Sequence, residues 1–134
     1  MPITGHELKA GQVWRYHAPE GFEQSRLVIG AIATFADQRR IVCVSVNEAP
    51  QHLPDGGVAA MNIAFLPLSE DAFAATVVAL DENATVAVNP EFADGFTEWN
   101  DDERGLTCFT VAFDGWLDRL IARQMAAIVG SDAA

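Results

Sequence analysis

Lysine is nearly absent from this chain. Lys9 is the only one, and 8 basic residues in all face 19 acidic ones, for a formal net charge of −11. A field of that sign repels phosphate, which sets nucleic acid and anionic membranes at a disadvantage as partners. Cysteine is scarce as well. Cys43 and Cys108 each lie in an apolar run and neither belongs to a C-x-x-C motif, so both read as reduced, buried thiols. No apolar stretch reaches the roughly 18 residues needed to span a bilayer. The opening, Met1 to Glu7, has neither the basic nor the apolar region of a secretory signal. A cytoplasmic domain is therefore expected. Internal repeats, low-complexity tracts and linkers are missing too, so residues 1–134 are expected to form a single domain.

The motifs of common chemistries are also wanting. His6, His17 and His52 stand far apart, without H-x-x-x-H or Cys/His pairing, and the acidic residues do not follow the spacing of a calcium loop. There is no G-x-S-x-G elbow, and the glycines form no phosphate-cradling loop. Cys43 sits between Val42 and Val44, an environment for an inert thiol. Glu20 with Glu23, and Glu98 with Asp102, are spaced for acid–base work, although surface carboxylates at such spacings are commonplace. No cofactor or metal is expected.

What is present is a chain whose character changes near Ser69, from strand-like to helix-like. That order predicts an α+β domain: an antiparallel sheet packed by two or three helices. In Gln12–Ala18, Trp14 and Tyr16 share one face and Arg15 and His17 the other, as a half-buried strand requires. Arg26–Thr34 is almost wholly apolar and reads as a strand covered on both faces, with Gly30 marking a bulge or bend. Arg39–Asn47 gives a third strand, and the three together predict a meander. Pro50–Gly57 reads as a loop; Met61–Leu66 resumes a strand that Pro67 ends or marks as a sheet edge.

Ser69 is an N-cap, followed by apolar positions at helical spacing through Leu80. Thr85–Val88 is a candidate short strand, and Asn89-Pro90 the start of a helix carrying Phe92, Phe96 and Trp99, in which Gly95 is unfavourable. Leu106–Phe109 is a candidate fifth strand. A last helix is expected over Val111–Val129, with Phe113, Trp116, Leu117, Leu120, Ile121 and Ile128 as its buried stripe.

Eight carboxylates lie between Asp81 and Glu103 with no lysine or arginine among them. They favour a basic protein as partner, with Trp99, Asp101, Asp102 and Glu103 as the candidate binding residues and Trp99 as anchor. The leading reading is a non-enzymatic, acidic protein-binding or regulatory domain. A small hydrolase and a small-ligand-binding domain are the alternatives, and a homo-oligomer is left open.

Gly11-Gln12-Val13-Trp14-Arg15-Tyr16, followed by Ser25-Arg26-Leu27-Val28-Ile29, resembles the opening of small bacterial proteins that have no assigned activity. That resemblance extends over most of the chain, to a helix start like Phe109-Thr110-Val111. Residues 11–47 are in part similar to MazF/PemK-type toxin endoribonucleases, through Gly11–Trp14, Gly21-Phe22-Glu23-Gln24 and Arg26–Ile29. That likeness implies a curled, partly barrel-like sheet, with Arg26 at the family's catalytic arginine and Ser45 as the counterpart of its catalytic hydroxyl. Leu27 stands where the family has proline.

Overall fold

The computed structural model describes residues 8–34, 40–84, 86–101 and 108–133, with side chains to residue 127. Four strands follow one another as an antiparallel meander: β1 (Val13–Tyr16), β2 (Arg26–Thr34), β3 (Arg40–His52) and β4 (Val58–Ser69). Helix α1 (Glu70–Thr76) then returns the chain to the far side of β1, where β5 (Val77–Leu80) completes a sheet of order β4-β3-β2-β1-β5. Helices α2 (Phe92–Asn100) and α3 (Leu117–Ala133) follow.

The fold is α+β, a five-stranded antiparallel sheet with three helices packed on it. The expected curl toward a barrel does not occur. The sheet stays open, with β4 and β5 as its edges. Helices occupy both faces, and each needs an open surface to pack against, whereas a barrel would close one face into its interior.

The first face carries the main core. Trp14, Leu27, Ile29, Val42, Val44 and Leu68 project from successive strands and meet Phe73 of α1, Phe113, and Leu120 of α3. Trp14 is fully buried and meets the Phe73 ring edge-on, with centroids 5.6 Å apart. Burying each such side chain stabilises the fold by roughly 1.5–3 kcal/mol. Ser69 caps α1 as expected, its hydroxyl accepting the Ala72 N–H at 3.1 Å.

The second face is smaller and aromatic. Ile41 and Cys43 of β3 pack under Phe92, with Phe65, Phe96, Trp99 and Cys108 at the margin. Two glycines allow this layer to form. At Gly30, where the β2 register shifts, a Cβ would lie 2.5 Å from the Phe92 ring. At Gly95, a Cβ would lie 2.7 Å from the Cβ of Phe65. The glycine that is unfavourable for helix propensity is thus the point where α2 comes down on the sheet.

Several expected boundaries differ from the structure. Val77–Leu80 is strand β5, not the end of a helix; its β-branched pair Val77-Val78 suits pairing with β1 better than a helical turn. The last helix starts at Leu117, after Gly115 with φ +100° and an Asp114 side chain that accepts the Trp116 N–H at 3.2 Å. Ile121, placed in the buried stripe by its spacing, is 48% exposed; Ile128 lies outside the described side chains. Strand β3 runs through Pro50 to His52, where a loop was expected. Beyond Asn47 it has no β2 neighbour, so the missing proline N–H is not needed there. Residues 86–88 form no strand and Thr85 lies outside the described residues. Of Leu106–Phe109, only Phe109 pairs, as a single bridge to Leu68; Leu106 and Thr107 are outside the described residues.

Candidate functional site: a polar notch and an acidic helix face

Only part of the second face is covered by α2. The register Arg26↔Asn47 and Val28↔Ser45 sets Arg26, Ser45 and Asn47 on the face opposite Leu27 and Val46, which belong to the main core. Asn62 precedes Ile63, another main-core residue paired with Val46, and so lies on the same polar face. A band of polar side chains therefore crosses the sheet beyond the aromatic layer.

At one end of this band, Asp81 accepts a hydrogen bond from Arg26 Nε at 2.9 Å, with Arg15 Nε 3.6 Å away. The Arg26 bond, assisted by the charge of Arg15, holds the Asp81 carboxyl below the usual aspartate range. Arg26 also donates from Nη1 to the carbonyls of Glu23 and Ser25, at 2.7 and 2.9 Å. Its guanidinium is fastened to its own protein.

At the other end is a notch of about 150 Å³ whose lining includes Ser45, Asn47, Asn62, Asn89 and Pro90. It opens where β3 bulges against β4: the register shifts between Val46 and Ala49, and Glu48 adopts φ 52°, unusual for a residue other than glycine. The three asparagines are fixed alike. Asn47 Oδ1 accepts the Arg26 N–H at 2.6 Å, Asn62 Oδ1 the Glu48 N–H at 3.0 Å, and Asn89 Oδ1 the Glu91 N–H at 2.8 Å. Ser45, 3% exposed, accepts the Asn89 N–H at 3.1 Å. Behind Asn47 runs a buried relay in which the Ser25 hydroxyl donates to the Asn47 carbonyl at 2.6 Å and meets Tyr16 Oη at 2.7 Å.

The notch leads directly onto α2. Phe92, Gly95, Phe96 and Trp99 form the inner side of that helix, while Glu91, Asp94, Glu98 and Asp101 are exposed along its outer side at i, i+3, i+7 and i+10. Among the described residues none of these four carboxylates has a basic partner. Trp99 is half-buried, its ring 5.5 Å from Phe65 and 5.8 Å from Phe96. Of the candidate binding residues, Asp101 is exposed at the helix end, and Asp102 and Glu103 lie outside the described residues.

Arg26 and Ser45, the positions singled out by the toxin likeness, do share a face, but Arg26 is held by Asp81 and Ser45 is buried against Asn89. Asn47 and Asn62 escaped the sequence reading, and Asn89 entered it only as the start of a helix, which in the structure begins at Phe92. Their signal was present: asparagine is disfavoured in strands, yet Asn47 and Asn62 stand inside β3 and β4.

A second concavity, of about 260 Å³, lies between the projecting β3–β4 hairpin and α3. Pro50, Met61, Leu117 and Ile121 give it an apolar lining, and His52 and Asp118 its polar rim. No described helix is long and apolar enough to cross a membrane. Compared with models of known protein families, with curated proteins and with solved structures, the chain matches none of them.

Proposed function

We propose that this is a non-enzymatic binding domain that engages a basic protein through the outer side of α2. The observation that carries this reading is the row Glu91, Asp94, Glu98 and Asp101: four exposed carboxylates along one side of α2 and its two cap residues, without a basic partner among the described residues. Like charges one helical turn apart repel, and a cationic partner relieves that repulsion. The overall charge of −11 adds steering of such a partner from solution. Phe92, Phe96 and Trp99 hold the row in place by seating the helix on the sheet. Trp99 thus supports the surface as well as bordering it.

The test uses an acetylated, amidated hexalysine peptide and titration calorimetry. Binding should weaken steeply between low and moderate salt, because exposed charges are screened over about 10 Å at 0.1 M ionic strength. The variant with Glu91→Gln, Asp94→Asn, Glu98→Gln and Asp101→Asn should lose most of the affinity and chiefly slow association. An affinity indifferent to both salt and these substitutions would overturn the reading.

A further inference from the structure

The notch beside α2 is chemically one-sided. Each of its three asparagines has its side-chain oxygen turned to a backbone N–H, and none of their NH2 groups, two donors apiece, has an acceptor among the described residues. The Ser45 hydroxyl oxygen likewise accepts from Asn89 N–H, and its own hydrogen has no acceptor among the described residues. Four side chains around one small concavity therefore present donors: Ser45, Asn47, Asn62 and Asn89. The relay behind Asn47 and the bulge at Glu48 hold these groups in place before any ligand arrives. A preorganised notch whose uncommitted hydrogens outnumber its remaining lone pairs suits a ligand rich in acceptor oxygens.

The charges at its rim decide which kind. Glu48 and Glu91, whose own N–H groups fix Asn62 and Asn89, are both exposed beside it, and the acidic row of α2 begins at Glu91. A phosphate or carboxylate would satisfy the donors and meet those carboxylates with repulsion. A peptide with cationic side chains satisfies both, since its main-chain carbonyls are neutral acceptors and its side chains match the rim. The row from Glu91 to Asp101 rises about 15 Å, the span of roughly five extended residues. We infer that the notch reads main-chain carbonyls of an extended basic segment of the partner, whose cationic side chains lie toward Glu48, Glu91 and the outer side of α2. This inference rests on the basic-partner reading above and adds that the partner is recognised as peptide, not only as positive charge.

Replacing Asn62 or Asn89 by aspartate separates the two. Each change keeps the oxygen that accepts the backbone N–H, removes the NH2 donor and adds negative charge. Charge recognition alone would then bind cations more tightly, whereas carbonyl recognition would bind peptide more weakly. The probes are the capped hexalysine peptide and spermine, a polyamine without carbonyls. Asn62→Asp and Asn89→Asp are each expected to weaken hexalysine about tenfold, the effect of one lost hydrogen bond replaced by oxygen–oxygen repulsion, while spermine binds at least as well as before. Hexalysine binding that is unchanged or tighter in both variants would overturn the notch and leave the acidic row standing. Equal weakening of hexalysine and spermine would overturn it too, by showing general damage to the surface. Absence of any hexalysine binding to the unaltered protein would remove the basic-partner reading, and this inference with it.

Discussion

His52 lies flat against Trp116, with ring centroids 4.1 Å apart and planes 12° from parallel. The histidine ends β3, beyond the reach of β2, and its Nδ1 is 3.1 Å from Asp118 Oδ2 in the first turn of α3. Arg119 approaches the same indole to 5.7 Å. This stack ties the projecting hairpin to the start of α3. His52→Ala is expected to destabilise the protein by about 0.5–1.5 kcal/mol and to speed amide exchange in Gln51 and Ala59 first. Denaturant unfolding and hydrogen exchange would check this; unaltered exchange in the hairpin would mean that the stack carries no weight.

Tyr16 is the only tyrosine and its hydroxyl is bonded to Ser25 in the core. Burial chiefly pushes its pKa up, with Asp114 adding to the shift and Ser25 and Arg26 opposing it. Since the folded value is raised, the linked stability is fully present below the unfolded tyrosine value of about 10 and is lost as pH rises through the folded one. Tyr16→Phe should cost about 1 kcal/mol near neutrality and remove this alkaline component. Unfolding curves from pH 7 to 11 for both proteins measure it, and a parallel decline in the variant would refute the assignment.

At Gly30 the expected effect is steric. Gly30→Ala sets a methyl group into the Phe92 ring and should cost about 1–3 kcal/mol, as overpacking does. Combining it with Phe92→Leu should recover part of the loss, because the smaller side chain vacates the contested space. Additive costs in the double variant would show that the two residues do not compete.

Cys43 and Cys108 are both thiols of the second-face layer, but they differ in access. Burial chiefly, and Cys108 secondarily, push the Cys43 thiol up to about 12. In the native protein at pH 8, an aromatic disulfide reagent should therefore label Cys108 first, with Cys43 following only on unfolding. Equal rates for both would contradict the burial of Cys43.

The local features of this fold were legible in its sequence where one residue's chemistry decides the outcome. Alternation placed Trp14 and Tyr16 on the core side of β1, and the Ser69 hydroxyl capped α1 where expected. What was hidden depends on distant partners. Val77–Leu80 has apolar positions that fit a helix, and its pairing with the distant β1 decides for the strand that Val77 and Val78 favour locally. Ile121 has the spacing of a buried position, yet it lines the concavity beside the β3–β4 hairpin and is left about half exposed. The notch was harder still, since Asn47, Asn62 and Asn89 meet only once β3, β4 and the segment before α2 are assembled. The acidic stretch was visible as composition and was centred on Asp101–Glu103, whereas the structure sets Glu91, Asp94 and Glu98 in line with Asp101 along the outer side of α2.

The place of β1 in the sheet has a consequence for the nascent chain. Residues 13–16 are synthesised some sixty residues ahead of one of their two neighbours, β5 at residues 77–80. At about 5–20 residues per second, the ribosome needs several seconds to deliver that neighbour. Through this interval the meander can form while one side of β1 offers unpaired backbone groups, and Phe73, the ring that closes over Trp14, arrives just before β5. An unpaired strand edge recruits other chains, and a strand of only four residues presents a short one. The brevity of β1 thus limits the hazard that late closure creates.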